Sequence, residues 1–147
     1  MSKARSEYTD FQSLAPDAFS AVRALSAIAV KAGLDEQLIE LIKIRASQIN
    51  GCAFCLQYHI LQSEALCMPE DKINLVAVWR ETPQFSPRER AALAWTEALT
   101  VLPNGVSDEL FALASAEFSE KELMYLTSAV AAINTWNRFG AAYRWTP

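Results

Sequence analysis

Signals for helix ends recur along the whole chain, and no segment carries the pattern of a β-strand. The stretches Ser86-Pro87-Arg88-Glu89 and Ser119-Glu120-Lys121-Glu122 are both capping boxes, in which a serine and a glutamate satisfy free N–H groups at a helix start. Apolar and polar residues nowhere alternate for long enough to indicate a strand. The sequence therefore predicts an all-α protein of about seven helices.

The predicted helices begin at a capping residue or a proline, and they end near glycine, asparagine or a loop. No linker divides the 147 residues, so we expect residues 1–147 to form a single domain. The expected helices run from Pro16 to Gly33, from Asp35 to Asn50-Gly51, from about Cys52 to Ala65, from Pro69 through Trp79, from Ser86 to about Leu99, from Ser107 to before Phe118, and from Ser119 to about Arg138.

The charge balance argues against a nucleic-acid partner. The formal net charge is −4, and Arg88, Arg90 and Lys121 are interleaved with glutamates instead of forming a basic stripe. Residues 1–7 lack the apolar segment of a secretory signal. The longest uncharged stretch, 123–137, is shorter than the ~20 apolar residues that a spanning helix needs. We therefore expect a cytoplasmic protein without a membrane partner.

The residues that could carry chemistry lie close together in the sequence. Glu40 is followed by the pair Cys52 and Cys55, and then by His59, which is the only histidine in the chain. Cysteines in a reducing compartment seldom form structural disulfides, and a close CxxC pair there indicates redox chemistry or metal binding.

The CxxC pair is predicted to occupy the first turn of a helix, because Asn50-Gly51 directly precedes it. Free N–H groups and the helix dipole favour a thiolate there, and such settings lower a cysteine pKa from about 8.5 to roughly 3.5–7.5. That effect alone would favour Cys52 as the nucleophile. His59, however, is one helical turn beyond Cys55 and is placed to exchange a proton with it. We therefore assign Cys55 as the attacking thiol and Cys52 as the resolving thiol.

Glu40 can act with these residues only if the chain reverses direction. In one continuous helix, Glu40 and Cys52 would be ~18 Å apart along the axis. If the next helix runs back antiparallel after Asn50-Gly51, Glu40 lies ~15 Å above the turn and His59 ~12 Å above it. The two side chains are then level. A carboxylate that orients a histidine beside a thiol is an arrangement that activates a nucleophile.

The pattern Glu-x11-Cys-x2-Cys-x3-His, found at Glu40, Cys52, Cys55 and His59, resembles the alkylhydroperoxidase D-like group of the carboxymuconolactone decarboxylase superfamily. Residues 43–55, 89–95 and 133–138 are similar to the same group, so the resemblance covers most of the chain. It implies an all-helical homo-oligomer, either a hexamer or a trimer.

Peroxidase members of that group reduce small hydroperoxides with the CxxC pair, and an external dithiol of the dihydrolipoyl type reduces the pair again. The resemblance implies this activity here, with Cys55 and Cys52 as the thiols, Glu40 and His59 as the proton relay, and neither a bound cofactor nor a metal. Members that decarboxylate a lactone generally lack the CxxC pair, which disfavours that reaction. Phe54 stands where a well-known peroxidase member has a second histidine, and this chain has room for one helical unit instead of two.

Two alternatives remain open at this point. In the first, the CxxC pair belongs to a non-enzymatic redox sensor or adaptor that is oxidised without turnover. In the second, Cys52, Cys55, His59 and Cys67 form a Cys₃His zinc site that staples an interaction module. The zinc site would leave Glu40 without a role, and Cys67 follows a predicted helix end.

Overall fold

Residues 4–147 are described by the computed structural model, and they form eight α-helices, two short 3₁₀ helices and no β-strand. The prediction of an all-α protein is confirmed. The α-helices are α1 (Tyr8–Leu14), α2 (Pro16–Lys31), α3 (Glu36–Asn50), α4 (Ala53–Ala65), α5 (Glu70–Asn74), α6 (Pro87–Thr100), α7 (Asp108–Glu117) and α8 (Glu120–Tyr143), and the 3₁₀ helices are Val76–Glu81 and Leu102–Asn104.

Both predicted capping boxes are present at helix starts. The Glu89 N–H donates to Ser86 Oγ at 3.1 Å before α6, and the Glu122 N–H donates to Ser119 Oγ at 3.2 Å before α8. In each box the glutamate carboxylate accepts from the serine N–H in return. These local contacts explain why the starts of α6 and α8 could be predicted from sequence.

The structure differs from the predicted helices in three places. Helix α1 was not expected, because it is short and only Phe11 in it is buried. Pro69 lies at the cap before α5 instead of inside the helix, and Val78 leaves helical geometry, so the segment predicted through Trp79 is split. Helix α8 continues past the predicted end at Arg138 as far as Tyr143, and Gly140 within this extension has a helical backbone.

Helix α3 lies at the centre of the fold and positions the candidate site. It packs against α4, α6 and α8, and Leu41, Ile42, Ile44 and Ala46 on it are completely buried. A helix that is apolar on most sides is stable only when other helices surround it. This central position means that a polar side chain on α3 meets side chains from several other helices.

A cluster of aromatic side chains joins the first helices to the end of α8. Phe11, Phe19 and Trp145 are buried at its centre, and Tyr8 contacts Trp145 edge-on with ring centroids 5.4 Å apart. Pairs of this geometry contribute about 0.5–1.5 kcal/mol beyond their buried area. The Thr146 hydroxyl also donates to the Glu7 carboxylate at 3.0 Å. The segments around Tyr8 and Trp145 are therefore held together beside α4.

Within residues 4–147, no single helix is both long and apolar enough to cross a membrane. Helices α1 and α2 reach that length and composition only as a pair, and the pair is bent by 118° at its junction.

Candidate active site

The chain reverses direction at Gly51, between α3 and α4. Gly51 has a φ of 65° in the left-handed region, which glycine adopts without a side-chain penalty. The Gly51 and Cys52 N–H groups bond back to the carbonyls of Gln48 and Ser47 at 3.3 and 3.1 Å. Helix α4 then starts at Ala53 and packs against α3. The predicted reversal is confirmed.

This reversal brings Glu40 and His59 into direct contact. His59 Nδ1 donates to Glu40 Oε2 at 2.7 Å, so the structure places the two side chains level, as the helix geometry predicted. The His59 side chain is 10% exposed. Because Nδ1 is bonded to the carboxylate, the remaining ring nitrogen, Nε2, is the atom available to exchange a proton with another group.

Burial favours the neutral form of this histidine. It lowers the pKa of His59 below its ordinary value of 6.5, although the hydrogen bond and the charge of Glu40 act in the opposite direction. Lys43 lies on the other side of Glu40, with Nζ 3.9 Å from Oε1, and its charge lowers the His59 pKa further. Burial also lowers the pKa of Lys43 itself.

The two cysteines occupy the start of α4, as predicted, and they form a disulfide bond. Cys52 is the N-cap residue, and its Sγ accepts a hydrogen bond from the Cys55 N–H at 3.3 Å. Both side chains are buried, and their Cα atoms are 5.3 Å apart. A sulfur at the N-cap is well placed to carry negative charge, because it receives an otherwise free N–H group of the helix.

Gly140 on α8 leaves the space that the two sulfurs occupy. A Cβ atom at this position would overlap Cys52 Sγ and would lie 3.3 Å from Cys55 Sγ. A buried polar network holds α8 in place beside α3. In it, Asn50 Nδ2 donates to Asn137 Oδ1 at 2.9 Å, and Asn137 Nδ2 donates to Ser47 Oγ at 3.1 Å.

A cavity of about 440 Å³ opens beside the disulfide, and this volume is typical of small-molecule sites. Cys55, His59 and Glu40 line it, whereas Cys52 is not among its lining residues. The cavity therefore distinguishes the two sulfurs. Its aromatic wall consists of Tyr8, Phe54, Tyr58, Trp136 and Trp145.

The structure does not bring Cys67 to this site. Cys67 is exposed beyond the far end of α4, and Cys55 is ~15 Å along the axis from the last turn of that helix. No group of three or more His, Cys, Asp or Glu side chains in residues 4–147 is arranged to hold a metal ion. The Cys₃His zinc arrangement considered from the sequence therefore does not form in this structure.

Sequence reasoning missed Lys43, Tyr8, Trp145 and Gly140 as parts of the site. Lys43 lies one turn after Glu40, so helical spacing could have indicated it. The other three come from α1, from α8 and from the segment after α8, which are remote in sequence, and no local signal places them beside the cysteines.

A family model described as the carboxymuconolactone decarboxylase family matches residues 16–98. The uncharacterised protein YdfG of Bacillus subtilis (strain 168) is 31% identical over 138 residues, which cover 93% of this chain and 94% of that protein. The uncharacterised protein YnjA of Escherichia coli (strain K12) is 34% identical over 109 residues, which cover 74% of this chain and 60% of that protein.

Solved structures share the whole architecture. A protein of unknown function from Agrobacterium tumefaciens, described as a candidate antioxidant defence protein AhpD, is 42% identical with a TM-score of 0.89, covering 98% of this chain and 97% of that one. The alkylhydroperoxidase AhpD core of a peroxidase-related protein from Ralstonia eutropha JMP134 is 21% identical with a TM-score of 0.80, covering 92% and 73%. The debrominase Bmp8 is 21% identical with a TM-score of 0.80, covering 89% and 71%. At this identity, the last two show the fold alone.

The contact between Gly140 and the sulfurs predicts that Gly140→Ala destabilises the oxidised protein. Helix propensity alone would make this substitution stabilising by about 1 kcal/mol. Overpacking against the disulfide instead costs about 1–3 kcal/mol. Chemical denaturation of the oxidised protein measures the sign, and Ala141→Ser on the exposed side of α8 is the control, with an expected change within about 0.5 kcal/mol. A more stable Gly140→Ala protein would show that the space is not restricted.

The His59 environment predicts a measurable titration. NMR of this sole histidine in the oxidised protein should give a midpoint below 6.5. Glu40→Gln should lower the midpoint further, because it removes the groups that raise the pKa, whereas Lys43→Met should raise it. The pKa of His59 is higher in the unfolded state than in the folded state, so the unfolded state binds the proton more readily. The contribution of His59 to the free energy of unfolding is therefore complete above pH 6.5 and is lost as the pH falls through the folded-state pKa. An unchanged or higher midpoint in Glu40→Gln would contradict this arrangement.

Proposed function

The chain belongs to the carboxymuconolactone decarboxylase family, and we propose that it is a thiol-dependent peroxidase that reduces small organic hydroperoxides. The observation that supports this most directly is the position of Cys55. It lines the cavity together with His59, while Cys52 lies behind it against Gly140. A hydroperoxide in the cavity would therefore meet one sulfur and the histidine at the same time.

The first half-reaction begins at Cys55. Neutral His59, oriented by Glu40, accepts the thiol proton of Cys55 at Nε2. The thiolate attacks the terminal oxygen of the hydroperoxide, a sulfur–oxygen bond forms and the oxygen–oxygen bond breaks. The leaving alkoxide takes the proton from His59, which yields the alcohol and a sulfenic acid on Cys55.

In the second half-reaction, Cys52 acts as the resolving thiol. Its thiol condenses with the sulfenic acid, which releases water and forms the disulfide. One thiolate of an external dithiol of the dihydrolipoyl class then attacks Cys55 from the cavity, and Cys52 leaves as a thiolate. The second thiol of the dithiol displaces Cys55 from the mixed disulfide, which frees both cysteines and leaves the reductant as a cyclic disulfide. The hydrogen bond from the Cys55 N–H to Cys52 Sγ supports this role, because a stabilised thiolate is the better leaving group.

Substitution of each cysteine tests the assignment. Steady-state turnover of cumene hydroperoxide with dihydrolipoamide should be abolished in Cys55→Ser. Cys52→Ser should form one sulfenic acid, which dimedone traps, and should not turn over. Cys67→Ser is the matched control and should keep full activity, because Cys67 is exposed and remote from the cavity.

The same assay separates the enzyme from the alternatives. Stoichiometric oxidation of the wild-type protein without turnover would contradict the peroxidase and support a redox sensor. Equimolar zinc in the purified protein, with unfolding when a chelator removes it, would contradict the dithiol chemistry. Trapping of sulfenic acid in Cys55→Ser but not in Cys52→Ser would reverse the roles of the two thiols.

The proposal includes a homo-oligomer, a hexamer or a trimer, which is supported by the resemblance to the alkylhydroperoxidase D-like group. Sedimentation velocity of the full chain should give one species larger than a dimer across micromolar concentrations. A monomer throughout this range would contradict the assembly but would leave the thiol chemistry unaffected.

A further inference from the structure

The cavity beside Cys55 carries more positive than negative charge. Its lining includes three cations, Arg23, Lys31 and Lys43, and one carboxylate, Glu40. Glu40 already bonds His59 at 2.7 Å and lies 3.9 Å from Lys43. Two cations therefore remain without a carboxylate partner in the cavity, although the formal net charge of the whole chain is −4.

Arg23 and Lys31 lie at the exposed rim of the cavity. Neither forms an ion pair with an acidic side chain within the described part of the chain. Both are on the same face of α2, and they are ~12 Å apart along its axis.

Arg23 is the cation on the side of the reactive sulfur. Arg23 Cζ lies 5.9 Å from the centre of the Phe19 ring, and the Phe19 ring is 5.7 Å from the ring of Tyr8. The Tyr8 ring is 5.1 Å from the ring of Phe54, which directly precedes Cys55. A guanidinium at this rim has the planar pair of donors that matches a carboxylate.

We propose that the cavity selects hydroperoxides that carry a carboxylate, with the carboxylate bound by Arg23 and the apolar body packed against the aromatic wall. This substrate class rests on the proposed peroxidase function. Lys31, which also lines the cavity, adds to the attraction of anions. The buried pair of Glu40 and His59 then meets the hydroperoxy group at the other end of the substrate.

Two substrates that differ only in the carboxylate test the selection. Reduced protein is mixed with cumene hydroperoxide or with its para-carboxylate, and the rate constant of oxidation is measured by stopped flow. The carboxylate should react about fivefold faster at low salt, since an exposed ion pair contributes modestly. This preference should disappear near 1 M salt, where the screening length falls to about 3 Å.

Substitutions at the rim of the cavity test which cation causes the preference for the carboxylate substrate. Arg23→Gln should remove most of it by slowing the carboxylate substrate while leaving cumene hydroperoxide unchanged, and Lys31→Gln should have a smaller effect. Lys121→Gln is the matched control, because Lys121 is an exposed lysine that does not line the cavity. Equal rates for both substrates in the wild-type protein, or equal slowing of both in Arg23→Gln, would overturn the proposal.

A binding measurement separates this inference from the peroxidase activity. The ring signals of His59 in the oxidised protein should shift on addition of 4-isopropylbenzoate, and much less with 4-isopropylbenzamide or in Arg23→Gln. If no hydroperoxide oxidises the protein but the benzoate binds through Arg23, the peroxidase function fails and the anion selectivity stands. If hydroperoxides oxidise the protein without a preference and the benzoate does not bind, the anion selectivity alone is wrong.

Discussion

The left-handed backbone at Gly51 is the constraint on which the candidate site depends. It ends α3 and turns the chain so that α4 runs back beside it, with Cys52 at the helix cap. The hydrogen bond between Glu40 and His59 exists only because of this reversal, since the two residues would be far apart in a continuous helix. One residue without a side chain thus sets both the position of the thiols and the protonation partner of the histidine.

The two sulfurs differ in their surroundings although they are close in sequence. Cys52 accepts a helix N–H and faces Gly140, and Cys55 faces the cavity. From the sequence, the helix dipole favoured Cys52 as the nucleophile, whereas the spacing to His59 favoured Cys55, so the two arguments pointed in opposite directions. The difference arises from α8, which closes one side of the disulfide and is fixed to α3 by Asn50 and Asn137. The asymmetry is a property of packing, and it supports the separate roles that we propose for the two thiols.

Local sequence signals predicted the parts of the fold that local interactions determine. The capping boxes at Ser86 and Ser119 and the reversal at Gly51 depend on hydrogen bonds between near neighbours, and the structure confirms all three. Helix α1 could not be predicted, because its stability depends on aromatic contacts with α2 and with residues close to Trp145. The cavity could not be predicted for the same reason, since its wall combines segments from both halves of the sequence.

The aromatic wall and the dithiol are built from different parts of the chain. The cysteines, Glu40 and His59 belong to the α3–α4 hairpin, whereas Tyr8 and Trp145 reach the cavity from α1 and from the segment after α8. Substitutions in those two outer segments can reshape the space offered to a ligand while the hairpin keeps its geometry. Solved structures with this fold include a peroxidase-related protein and a debrominase. A fold built in this way can keep the geometry of one hairpin while the cavity beside it changes its ligand.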